Sequence, residues 1–136
     1  MSYSRTTTVD RSYETVLAEV RTALADQGFG VLSEIDLRTT MKAKLDADIP
    51  PQVILGACRP PLALAALLAE PSIGLLLPCN VVVRSTGAQT TVVQVVDPQT
   101  MVSITGTPAL QEIADDATSR LNAALASLAG AAVKRA

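Results

Sequence analysis

Between Gln52 and Pro98 the chain reads QVILGACRPPLALAALLAEPSIGLLLPCNVVVRSTGAQTTVVQVVDP, apolar runs cut by prolines. Pro60, Pro61, Pro71, Pro78 and Pro98 supply the cuts. A proline has no N–H to donate, so it is excluded from helix interiors and from central strands. Each apolar run must therefore be a separate short element. Val53–Ala57 reads as a buried strand. Pro60 and Pro61 suit the first turn of a helix, which Leu62–Ala69 continues and Glu70-Pro71 ends. Ile73–Leu77 and Val81–Arg84 read as strands, with Pro78-Cys79-Asn80 between them. Thr86-Gly87-Ala88 is a hairpin signal, and Thr90–Val96 returns as the next strand before the turn at Asp97-Pro98.

The flanking segments supply the helices. Ser4–Val9 is threonine-rich and alternating, a strand pattern. Asp10 or Ser12 caps a helix whose apolar stripe is Tyr13, Val16, Leu17, Val20 and Leu24. Gly28 stops that helix, where a positive φ is commonly required. Phe29–Ile35 returns as a strand, with Phe29, Val31 and Ile35 on one face. Glu34 and Asp36 share a strand face but read as a solvated end. Asp36–Asp46 is helical by preference and, with Arg38, Lys42 and Lys44, the most basic part of the chain. Asp48-Ile49-Pro50-Pro51 is a stiff connection. Thr107-Pro108 opens a final helix with a stripe of Leu110, Ile113, Ala114, Ala117, Leu121, Ala124, Leu125 and Leu128. Gly130 ends it, and Lys134-Arg135 trails into solvent. The expected fold is α+β: a compact single domain over residues 1–136, with a mainly antiparallel or mixed sheet of about five to six strands packed against helices. A chain of 136 residues buries roughly two-thirds of its unfolded surface and folds without cross-links.

Composition excludes several chemistries. There is no histidine, which removes the commonest general base, the usual triads and every His-ligated metal site. Phe29, Tyr3 and Tyr13 are the only aromatic residues, and the net charge is −2. A nucleic-acid partner, which calls for a basic face and stacking rings, is not expected. The apolar runs fall short of the ~20 residues of a membrane span, and the amino terminus lacks a signal-peptide pattern. A soluble, cytoplasmic protein follows as the expectation, with Cys58 and Cys79 as thiols rather than a structural disulfide. No G-x-S-x-G nucleophile motif and no phosphate-cradling glycine loop occurs.

The phrase ILGACRPPLALAALLAEPSIGLLLPCNVVV, the later VVDPQTM, and the order and spacing of FGVLSEIDLRTTMKAKLDADIPPQVILGAC resemble the DUF302 family, the group with the TT1751-like fold. The likeness runs over about the whole length. It implies a compact α+β domain, generally dimeric, with no established biochemical role. The family usually has Asn after its first cysteine, where this chain has Arg59, so a shared site is altered in charge at that point.

The candidate site centres on Cys58 and Cys79, at element ends. Cys58 precedes a helix start, whose partial positive charge lowers a nearby thiol pKa, although Pro60 and Pro61 remove two of the N–H donors there. Asn80, Lys44 and Arg59 are the polar residues placed nearest. Free cysteine is also a common small core filler, and Met101 is either a packed residue or a soft ligand. Three readings follow. The first is a small-ligand-binding or protein-interaction module acting as a homodimer. The second is a thiol redox or soft-metal protein, with Cys58 the attacking or ligating thiolate, Cys79 its partner and Cu(I) the metal of choice. The third is an enzyme using Lys44 as base or Schiff-base nucleophile. The first has most support, and no cofactor is indicated.

Overall fold

The computed structural model describes residues 2–132. β1 (Ser4–Val9) runs into a turn, and Ser12, rather than Asp10, caps the next helix. Its hydroxyl accepts the Thr15 N–H at the start of α1 (Tyr13–Asp26). Gly28, at φ +83°, turns the chain after Gln27 into β2 (Gly30–Asp36). Asp36 then caps α2 (Leu37–Leu45) by accepting the Thr39 N–H. β3 (Gln52–Cys58) leads through Arg59 into α3 (Pro60–Ala69) and a 3-10 turn at Pro71–Leu76. β4 (Cys79–Gly87) and β5 (Thr90–Val96) form the hairpin, closed by Ala88 and Gln89. α4 (Gln99–Thr105), a short 3-10 turn at Pro108–Leu110 and α5 (Gln111–Ala132) complete the chain.

The five strands make one antiparallel sheet in the order β1-β5-β4-β3-β2. Strands β2 to β5 form a meander, and β1 adds to its far edge beside β5. α1 crosses from one edge to the other. Period-two alternation sends Val53, Leu55 and Ala57 of β3, Val81 and Val83 of β4, and Val93 and Val95 of β5 to one face. There they pack with Val16, Val20 and Leu24 of α1 and Leu121, Ala124 and Leu128 of α5 in one buried cluster. Thr91, fully buried, donates its hydroxyl to the Arg11 carbonyl, so its polar group is satisfied. A second buried cluster joins Ala66 of α3, Ile73, Met101 of α4, Leu110 and Ala114 of α5. The result is a single compact α+β domain.

Three local expectations are corrected and one element is added. Ile73–Leu77 is not a strand but 3-10 structure over most of its length, ending at Leu76. Pro71 favours a helical first turn, and the three-residue period turns Ile73 and Leu76 inward while Leu75 stays 88% exposed. Ile35 does not share a face with Val31. Val31 pairs with Ala57 but Ser33 pairs with Gly56, so a bulge at Leu32 shifts the register and sends Ile35 to the side of Ile54. The α4 helix over Gln99–Thr105 was not anticipated, because its β-branched residues obscure the helical pattern. Gly130 does not end α5, which continues to Ala132. Lys134 and Arg135 lie outside the described residues.

Candidate ligand pocket at the end of the sheet

Cys58 is the last residue of β3 and Cys79 the first of β4. Cys79 pairs across the ladder with Ala57, the neighbour of Cys58. The chain between the two thiols leaves the sheet as α3, turns through Pro71–Leu76 and returns through Leu77 and Pro78. It therefore arches over the strand ends, and the two core clusters do not meet there. A pocket of about 360 Å³ opens between them, within the usual size range of small-molecule sites. Ala57, Ala63, Ala66 and Ala117 form part of its wall, and these short side chains leave space that leucines would fill. Phe29, Leu62, Met101 and Ile113 supply larger apolar surface, and Leu32 and Leu67 are partly exposed at the mouth. The bulge at Leu32 aims that side chain toward the mouth.

Among the described residues, the lining side chains that carry groups able to hydrogen-bond, beyond the weak thioether of Met101, are Ser33, Arg59, Cys58 and Cys79. Both cysteines are free thiols. Burial, and then the proximity of Cys58, push the Cys79 thiol up from an ordinary 9.0 to about 11. It is a protonated, weakly reactive group at neutral pH. The start of α3 gives a thiolate no hydrogen bonds. Pro60 and Pro61 have no N–H, and the Leu62 and Ala63 N–H groups both donate to the Arg59 carbonyl at 3.0 Å. Arg59 itself lies against Gly28: a Cβ at Gly28 would stand 3.0 Å from Arg59 Nε. Gly28 thus supplies both a positive φ and room for the guanidinium.

The structure brings together three of the five residues singled out from the sequence, Cys58, Cys79 and Arg59. Asn80 is not with them. It is exposed on the other face of the sheet, beside a depression of about 210 Å³ lined with Tyr3, Val82 and Gln94. Strand alternation explains this, because Cys79 and Asn80 must point to opposite faces. Lys44 is also elsewhere, exposed on α2 and absent from the pocket wall, so nothing there desolvates it for Schiff-base chemistry. The sequence reading missed Leu32 and Ser33, which only the bulge and the Gly56 register bring to the pocket. Ile113 and Ala117 were legible as helix stripe residues but not as pocket wall. Among the described residues, no group of three or more His, Cys, Asp and Glu side chains is placed to hold a metal ion. Met101 adds a third sulfur to the two thiols around the same space.

The profile of a family described as Domain of unknown function DUF302 matches residues 5–128. The chain belongs to the DUF302 family. It is similar to an uncharacterized conserved DUF302 protein from Bacillus stearothermophilus, known from its crystal structure. The two are 30% identical and superpose with a TM-score of 0.86, over 95% of this chain and 100% of that one. Comparison with curated proteins found no match. The DUF302 domain contains no helix, among the described residues, long and apolar enough to cross a membrane.

Proposed function

We propose that this DUF302 domain binds a small apolar ligand in the pocket at the end of its sheet and works as a homodimer. The pocket carries the reading: about 360 Å³ of space with aliphatic walls and few polar groups. Such a site gains its affinity from burying apolar ligand surface and uses few polar contacts for orientation. No paired general base and nucleophile lines it, which favours binding over turnover. The test is titration of 1-octanol into the full chain, followed by methyl NMR. Shifts centred on Ala57, Ala66 and Met101 are expected, and Ala63→Phe, which fills the space, should abolish them. Absence of shifts at those methyls in the folded wild-type chain sinks the reading.

The homodimer rests on α3. No residue from Pro60 to Ala69 carries a polar side chain, and a helix apolar all round ordinarily packs on every side. Here Ala66 is its one buried residue, and Leu64, Leu67 and Leu68 are 59%, 42% and 77% exposed. A surface without charge or hydrogen-bonding side chains needs an apolar partner. A second copy brings the same helix, and a two-fold axis makes the patch self-complementary.

A second reading is favoured by one observation, that Cys58, Cys79 and Met101 all line the same pocket. Three sulfur donors suit a soft ion such as Cu(I). Native mass spectrometry of the chain titrated with Cu(I) tests it. One equivalent retained by wild type and lost in both Cys58→Ser and Cys79→Ser supports the site, and retention by either variant removes it.

A further inference from the structure

Arg59 is, among the described residues, the one charged side chain on the pocket wall. Among the described residues, no carboxylate oxygen lies within 4.0 Å of its guanidinium and none of its N–H groups has a protein acceptor. Its Nε is buried. A guanidinium taken partly out of water without a counter-charge is unfavourable, and it gains most from an anion delivered into the same space. The surroundings restrict which anion. The first turn of α3 presents no free N–H, since two of its residues are prolines and the next two N–H groups are taken. Among the described residues, no lysine lines the pocket. A phosphate dianion calls for several donors, whereas a carboxylate is matched by a single guanidinium fork. The protonated Cys79 thiol places no negative charge in competition.

We infer that the pocket ligand is an apolar monocarboxylate, its hydrocarbon body against the alanine wall and its carboxylate held by Arg59. This rests on the pocket reading above and names the ligand's chemical class. The wall sets the body, because Ala57, Ala63, Ala66 and Ile113 are apolar and, among the described residues, no second cation stands on the wall to take another carboxylate. The position of Arg59, its guanidinium against Gly28 just before β2, sets the head.

Calorimetric titration of the full chain with octanoate and with 1-octanol, ligands of equal chain length, tests the assignment. Octanoate should bind about tenfold more tightly or better, the usual worth of a hydrogen bond to a charged group. Arg59→Gln should remove that advantage, so that octanoate binds the variant no more tightly than octanol does. Equal affinity of the two wild-type ligands, or octanoate binding untouched in Arg59→Gln, overturns the carboxylate while octanol binding keeps the pocket reading alive. Loss of both ligands in Arg59→Gln also overturns it, since Arg59 would then shape the pocket rather than hold the head group. Displacement of octanoate by equimolar inorganic phosphate overturns it in favour of a phosphate site. Failure of both ligands to bind wild type removes the pocket reading as well.

Discussion

Cys58 and Cys79 sit one residue out of register across the β3–β4 ladder, Cys79 facing Ala57 and Cys58 facing Gly30 on the other side. They border one pocket from adjacent strand ends, both half-buried, and burial together with the nearby Cys58 raises the Cys79 thiol to about 11.

That raised thiol makes stability fall at alkaline pH. Below pH 9 the thiol is protonated both folded and unfolded, and the full stability is present. Between 9 and about 11 the unfolded chain loses the proton first, so stability falls as pH rises, by about 3 kcal/mol in all. Denaturant midpoints from pH 8 to 11 check this, and Cys79→Ala should flatten the curve over that window. Tyr13, raised by burial first and then by Asp36, Glu34 and Glu14, adds a further alkaline loss that the variant keeps.

Gly56 is required by packing. A Cβ there would overlap the Ser33 hydroxyl and stand 2.8 Å from Pro78 Cγ. Gly56→Ala should cost about 1–3 kcal/mol by overpacking. Adding Ser33→Ala should recover part of it, because the hydroxyl is the nearest obstacle. A double variant no more stable than Gly56→Ala would show that Pro78 alone sets the limit.

If the proposed homodimer forms through α3, Leu68→Glu should leave the chain monomeric without loss of helix. The change places a charge at an exposed position that α3 itself does not need buried. Sedimentation and far-UV circular dichroism read the two quantities separately. A wild-type chain that sediments as a monomer at micromolar concentration removes the dimer.

Thr91→Val should cost about 1–2 kcal/mol, although the side chains have nearly the same shape. The variant leaves the Arg11 carbonyl without the hydroxyl that donates to it at 3.0 Å. Chemical denaturation measures the difference, and an unchanged midpoint would show that water reaches that carbonyl.

Cu(I) binding at the thiols should strengthen with pH. The Cys79 proton must leave before sulfur can ligate, and burial opposes its loss. Competition with a soft chelator at pH 6.5 and 8.5 should show the higher affinity at 8.5, and equal affinities would place the ion away from Cys79.

Much of the fold is written in local pattern. The Ser12 cap, the α1 stripe from Val16 to Leu24, the Gly28 stop and the α5 stripe follow from spacing and from residues with special backbone needs. The alternation of β4 and β5 and their turn are equally local. Ile73–Leu77 was misread because a short apolar run has the same composition as a strand or a helical turn. What chose 3-10 structure was packing of Ile73 and Leu76 against Met101 and Leu110, residues distant in the chain.

The candidate site divides the same way. Cys58, Cys79 and Arg59 stand out in the sequence because they interrupt apolar runs beside prolines. Asn80 stands beside Cys79 in sequence but faces the other side of the sheet. The sequence by itself determined most of the elements, α4 and the Pro71–Leu76 turn excepted, since periodicity, caps and proline positions act over a few residues. Only the tertiary structure decided the pocket, because its wall joins β2, β3, β4, α3, α4 and α5. The space left when their short side chains meet is a property of packing, not of any one segment.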